Sequence, residues 1–380
     1  MNQQEALAQI YEWLRFVVMR KASDLFLTAG FPPAIKLNGK VGTIDKQTLT
    51  PTQTVLFGKA LMSDRQQADF ASSLEANFAI YNPDIGRFRV NAFMQQGRVG
   101  IVMRYINTQI PRIEALHLPE SLKTITMMPR GLVFLVGATG CGKSTSLAAM
   151  VGLRNQTCQE HIITVEDPIE YVHEHGKSII TQREIGMDTE DWESALKNAM
   201  RQAPDVIMIG EIRDRETMQY AMSYAETGHL CLSTLHANNT NQALDRILSF
   251  FPKERRDQLL LDLSMNLRAI VSQRLVPRLD GKGRIPAVEI MLNSPLISDL
   301  IMQGRVDEIR GIMQRSRDMG MQTFDQSLFE LFLAQAVSAE DALRNADSFN
   351  DLRLKMKLHG KESQDGGSSF MDGIDHLDIV

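Results

Sequence analysis

The sequence predicts an α/β core set between an α+β N-terminal domain and a helical C-terminal region. Two textures carry this expectation. From about residue 119, short and nearly all-apolar runs (GLVFLVG, HIITVED, DVIMIGE and LCLSTLH) alternate with helical patterns. Strands of that kind are buried on both faces of a parallel sheet, and the alternation with helices is the α/β signature. Residues 1–106 read differently, with an amphipathic opening helix (Ala6, Ile10, Leu14, Val17, Val18) followed by short runs such as SDLFLTAG and PAIKLNG. Gly30, Pro32, Pro33, Asn38 and Gly39 mark turns between them.

Each segment then follows in order. RFRVNAFMQQGRVGIVMRYI alternates as a hairpin with Gly97 near its turn, and residues 107–118 are expected as a linker interrupted by Pro111. The core is expected over residues 119–290, where RETMQYAMSYAET places Met218, Ala221, Met222 and Ala225 on one helical face. Residues 291–345 are expected to be helical, and residues 346–380 an acidic, unstructured tail whose FMDGIDHLDIV retains enough apolar residues to dock.

Composition narrows the function classes. A hydrophobic share of 43% supports a buried core, and a net charge of -5 argues against a protein that mainly grips nucleic acid. Cys141, Cys158 and Cys231 form no C-x-x-C pair, so neither a structural zinc site nor a disulfide framework is signalled. The N-terminus lacks a signal-peptide pattern, and no run approaches the roughly 18 apolar residues of a membrane span. A cytoplasmic protein is expected, without direct membrane insertion. The 21 methionines read as core gap-fillers.

The strongest motif is Gly137-Ala138-Thr139-Gly140-Cys141-Gly142-Lys143-Ser144, followed by Thr145, between a strand and a helix. Glycines let backbone N–H groups wrap phosphates, and the helix N-terminus adds the positive end of its dipole. Lys143 is expected to reach the β- and γ-phosphates of ATP, and the Ser144 hydroxyl to ligate Mg²⁺. Cys141, at a variable position, reads as packing.

Hydrolysis also needs carboxylates, one near the metal and one to activate water. The run from Asp205 ends in Gly210-Glu211 and resembles a Walker B strand with Gly210 where Asp is usual; Glu211 is expected to hold Mg²⁺ through water. Glu166, Asp167 and Glu170 crowd a second strand end, a costly arrangement unless cations or hydrogen bonds neutralise it. Chemistry alone leaves the base open among these three.

The phosphate loop, EDPIE, GEIRD and AETGHLCLSTLHAN follow one another as in the secretion-type ATPase superfamily, and the chain resembles its pilus retraction motors, the PilT and PilU type. The N-terminal runs ASDLFLTAGFPPAIKLNGKV and RFRVNAFMQQGRVGIVMR share the resemblance, which covers about residues 20 to 330. It implies a RecA-like P-loop motor domain with a PAS-like N-terminal domain, assembled as a homo-hexamer with ATP between neighbours. It also implies Glu170 as general base, Glu211 as Walker B acid, His229 and His236 in a His box, and Arg89 and Arg104 as arginines that reach the phosphates. Unaided, each arginine reads as an ordinary strand residue, and His236 as readily as a hydrogen-bonded histidine.

Phe26, the stretch SPLISDLIMQGRVDEIRGIMQ and the acidic tail depart from the commonest retraction motor and point to the PilU-like branch. The absence of a paired C-x-x-C zinc motif sets the chain apart from extension motors. The implied partners are a paralogous retraction ATPase and an inner-membrane pilus platform protein, at the pilus base. The implied activity is ATP hydrolysis that drives or assists pilus retraction and twitching motility. The alternative is an ATP-binding accessory subunit that scaffolds a second motor.

Overall fold

The computed structural model describes residues 1–37, 39–106 and 109–364, so the expected docking segment at 370–380 lies outside the described residues. The described chain forms two compact units. The first holds residues 1–109 with 169–172 and 186–188, and the second the remainder.

The first unit opens with α1 (Gln3–Arg20), started by a reciprocal cap in which Asn2 and Glu5 each accept the other's backbone N–H at 2.9 Å. It continues through β1 (Asp24–Thr28), β2 (Ala34–Leu37), β3 (Lys40–Thr43), α2 (Pro51–Leu61), α3 (Asp64–Ser73), β4 (Glu75–Asn82), β5 (Gly86–Gln95) and β6 (Arg98–Ile106). The strands form an antiparallel sheet in the order β3, β2, β1, β6, β5, β4. Alternation along each strand sends Leu25, Leu27, Val90, Ala92, Ile101 and Met103 to one face, where they pack with Ile10, Leu14 and Phe57. The β5–β6 hairpin turns on Gln96 and Gly97 at φ 48° and 71°, the left-handed pair of a two-residue turn.

The second unit contains α4 (Ser121–Thr126), β7 (Gly131–Val136), α5 (Lys143–Thr157), β8 (His161–Glu166), β9 (Ile179–Glu184), α6 (Trp192–Ala199), β10 (Val206–Ile209), α7 (Arg215–Glu226), β11 (Leu230–Leu235), α8 (Thr240–Ser249), α9 (Arg256–Asn266), β12 (Leu267–Pro277) and β13 (Arg284–Leu292). Its sheet runs β13, β12, β7, β11, β10, β8, β9, parallel except for the β12–β13 edge pair. This is a RecA-like core. Every residue of β7 and β11 is buried, which explains their nearly continuous apolar sequence. Leu132, Phe134 and Val136 pack toward the α6–α7 face, whereas Val133 and Leu135 pack toward α4 and α5.

Two stretches differ from the sequence expectation. Within the expected linker, Ile113 and Leu118 are buried in the core beneath α4 and α5. The first part of the expected tail, residues 349–364, forms a helix. After α10 (Pro295–Met302), α11 (Ile309–Arg315), α12 (Phe324–Leu333) and α13 (Ala339–Arg344), the chain makes α14 (Phe349–Gln364). Leu352 and Met356, one helical turn apart, bury against Phe324 and Leu328. Arg274 of β12 anchors this end: it pairs with Asp347 at 2.6 Å, donates to the Asn345 carbonyl and lies over the Phe324 ring.

His173 makes the stability of the second unit pH-dependent. It is buried, its Nδ1 has no hydrogen-bond partner, and burial pushes its pKa down from 6.5 to about 4. The unfolded chain therefore takes up this proton first. The His173 contribution is flat above the ordinary histidine pKa and erodes as pH falls toward 4, by about 3 kcal/mol in all. Urea unfolding across this window should show a His173→Gln variant losing less stability than wild type; parallel curves would refute the assignment.

Candidate active site

The phosphate loop leaves the end of β7 and enters α5 at Lys143. Gly142 sits at φ 92°, and a Cβ there would lie 2.7 Å from Gln273 Nε2; a Cβ on Gly137 would lie 2.6 Å from the Gln273 carbonyl and collide with Cys141 Sγ. Both positions therefore exclude a side chain by space as well as by dihedral angle. Lys143 is almost fully buried and donates to the carbonyls of Gly137 at 2.7 Å and Ala138 at 3.0 Å; burial lowers its pKa. Ala138, Thr139, Gly140 and Ser144 face solvent, Thr145 is half-buried, and Cys141 is buried as packing.

The neighbouring strand ends converge on the same edge. Gly210 N–H donates to the Val165 carbonyl at 2.8 Å, and a Cβ on Gly210 would come within 3.3 Å of the Glu166 backbone. A side chain at this position would require the Glu166 backbone to give by a few tenths of an ångström. Thr234 Oγ1 donates to the Gly210 carbonyl at 2.7 Å, and Ile212 N–H to the Thr234 carbonyl at 2.9 Å. The tie aligns the ends of β10 and β11 so that His236 Nε2 meets Glu211 Oε2 at 3.1 Å. A carboxylate only accepts, so Nε2 carries the proton in this contact.

Burial, together with the positive charges of Lys143, Arg213 and Arg246, lowers the His236 pKa and favours a neutral imidazole. Glu211 also pairs with Arg213. A cavity of about 450 Å³ opens beside these groups, lined by Gly137, Ala138, His236, Asn238, Gln242 and Arg246.

The three crowded carboxylates separate by environment. Glu166 is buried and accepts from Thr164 Oγ1 at 2.7 Å and Gln182 Nε2 at 3.1 Å, whereas Asp167 and Glu170 are exposed. Glu170, Arg89 and Arg104 all belong to the first unit. There Arg89 and Arg104 stand opposite each other on β5 and β6, and Arg104 Nε donates to the buried Asp24 at 2.8 Å.

His229 departs from the expectation. It lies before β11, at the opposite end of the strand from His236, about 20 Å away along an extended chain. Its Nδ1 meets the Tyr224 carbonyl at 3.2 Å and Thr227 Oγ1 at 3.0 Å, closing the last turn of α7. The structure thus removes His229 from the phosphate edge of its own chain. Sequence reasoning missed Arg213, signalled only by its place two residues after Glu211, and Arg246, which carries no local signal.

Among the described residues no three His, Cys, Asp or Glu side chains form a metal cage. The exposed Ser144 hydroxyl and the Glu211 carboxylate are oxygen donors of the kind Mg²⁺ takes when phosphates and water complete its shell.

A glycine loop between a buried strand and a helix, with an acid ending a nearby parallel strand, defines a P-loop ATPase. Residues 75–343 match the family model described as "Type II/IV secretion system protein". The chain is 55% identical over 361 residues to the type IV pilus ATPase PilU of Pseudomonas aeruginosa, spanning 95% of this chain and 94% of that protein. It is 41% identical over 337 residues to the type IV pilus retractation ATPase PilT of the same organism, spanning 89% and 98%. The crystal structure of the pilus retraction motor PilT with bound ADP superposes with a TM-score of 0.84 at 37% identity, covering 90% of this chain and 97% of that one. The Legionella pneumophila ATPase DotB superposes at 0.72 with 25% identity, covering 93% and 96%. The chain belongs to the PilT/PilU-type ATPases of the type II/IV secretion family: it binds nucleotide and hydrolyses ATP as a pilus-related enzyme. No described helix is long and apolar enough to cross a membrane.

Proposed function

We propose that the chain is the ATPase subunit of a hexameric ring that drives or assists retraction of a type IV pilus. The observation that carries this reading is the likeness to PilU over 95% of the chain, joined to an intact phosphate loop. Lys143 neutralises the β- and γ-phosphates, and Ser144 with Glu211 would hold Mg²⁺, which supplies charge neutralisation at the transferred phosphoryl group when bound. His236, oriented by Glu211, faces the cavity beside the loop. Glu170 takes the proton of the attacking water, and Arg89 and Arg104 reach the phosphate charge across a subunit boundary.

The ring is proposed to act in the cytoplasm on an inner-membrane platform protein beside a paralogous motor, without nucleic acid.

The test is live imaging of labelled pili in the source bacterium lacking this chain. Wild type is expected to restore retraction, and Lys143→Ala to fail. Full restoration by Lys143→Ala would instead favour an accessory scaffold. Retraction unaltered by deletion, with the paralogous motor also removed, would refute the pilus role.

A further inference from the structure

Strand β12 lies parallel to β7, with Ser272 opposite Val136, which brings Gln273 level with the first residue of the phosphate loop. Its side chain is buried and spans the loop. Nε2 donates to the Cys141 carbonyl at 2.7 Å, and Oε1 accepts from Ser146 Oγ at 2.8 Å. The amide orientation follows from chemistry: a backbone carbonyl can only accept, so the nitrogen faces Cys141 and the oxygen is left for the Ser146 hydroxyl. Gln273 also fits beneath both ends of the loop, against Gly137 through its carbonyl and against Gly142 through its amide.

The consequence concerns one peptide plane. In a trans peptide the C=O and the following N–H point in opposite directions. Pinning the Cys141 carbonyl inward onto Gln273 therefore aims the Gly142 N–H outward, toward the mouth of the loop. The bond to Ser146 ties the same amide to the first turn of α5, whose N-terminus faces the phosphates. We propose that Gln273 is a positioning residue of the ATPase. It locks the 141–142 peptide with its N–H presented to phosphate, and so sets nucleotide affinity from a strand 132 residues away in sequence from the loop carbonyl it holds.

Without the clamp, the Cys141 carbonyl and the Ser146 hydroxyl lose their buried partner, and the peptide is free to turn its N–H away. Gln273→Met keeps the length and apolar bulk but neither hydrogen bond. Gln273→Glu can still accept from Ser146, yet sets an ionised oxygen against the Cys141 carbonyl. Protonation of that carboxyl restores a donor, and burial beside a carbonyl raises its pKa toward the working range.

The experiment measures ADP affinity by titration calorimetry, and KM and kcat for ATP, on the full-length chain. Nucleotide-free melting is recorded beside them. Gln273→Met is expected to weaken ADP binding about 10-fold and raise KM in step. Ser146→Ala, which leaves the Cys141 bond in place, should stay within about 3-fold of wild type. Gln273→Glu should bind ADP weakly near pH 8 and, relative to wild type, regain affinity as pH falls to about 6. Where nucleotide-free melting does not change in parallel, this recovery separates a positioning role from one that only supports the fold. It also remains readable if Gln273→Met does not fold. ADP affinities for both Gln273 variants within about 2-fold of wild type at pH 8, or a Gln273→Glu affinity that does not recover with pH, would overturn the assignment. None of these readouts depends on the pilus role.

Discussion

Replacing Lys143 with alanine should lower ATP turnover about 1,000-fold or to background, a loss of about 4 kcal/mol in transition-state stabilisation. The ammonium of Lys143 is held almost out of water by the carbonyls of Gly137 and Ala138 and is thereby poised at the loop's centre. Burial lowers its pKa, so the folded protein bears a cost for keeping this charge in place. That cost is repaid only when phosphate arrives, because anionic oxygens are far better partners for a buried cation than two neutral carbonyls. The variant should therefore melt, without nucleotide, close to wild type, yet gain no stability from ADP. Wild type should gain it in proportion to the logarithm of ADP concentration above its Kd. Retained ADP stabilisation in the variant would place nucleotide binding elsewhere. This contrast separates a lost ligand contact from a damaged fold.

Glu170→Gln is expected to reduce kcat by about 100- to 10,000-fold while leaving nucleotide binding largely intact, the range for losing a general base. Glutamine keeps the shape and can still hold water, but cannot take its proton. Environment favours this residue over Glu166, whose carboxylate is buried and already engaged by Thr164 and Gln182. Glu166→Gln should therefore act first on the fold, through the β8–β9 edge, and show as a lower melting temperature. Asp167 is exposed like Glu170, so Asp167→Asn is the informative comparison. Single-turnover rates would decide between them. A chemical step unchanged in Glu170→Gln but lost in Asp167→Asn would move the base by three positions.

The phosphate loop was legible in the sequence because its chemistry needs contiguous residues; the dihedral demands of Gly137 and Gly142 and the place of Lys143 are all local. The parallel sheet was legible for a related reason, since β7 and β11 are buried on both faces and can carry little but apolar side chains. The meeting of Glu211 with His236 depends on β10 lying beside β11, a fact of topology that no local spacing encodes. Gln273 is further removed still, as its partners lie in the loop after β7 and on α5. His229 shows the converse: one contiguous motif spans the whole of β11, so its two histidines stand at opposite ends of that strand, a separation that adjacency in sequence conceals. α14 was hidden because, of its described side chains, only Leu352 and Met356 are buried, while Leu354 and Leu358 stand exposed among charged neighbours. The low share of apolar residues reads as a tail when the surface it packs on is not known.

The most direct test is ATP hydrolysis measured fraction by fraction after size separation of the purified chain, with mass determined in each fraction. A ring motor predicts turnover confined to particles near six times the 42.7 kDa chain mass and absent from a Lys143→Ala preparation of the same size. Ring-sized fractions without turnover, both alone and mixed with the paralogous motor, would contradict it, as would full activity in fractions of single chains.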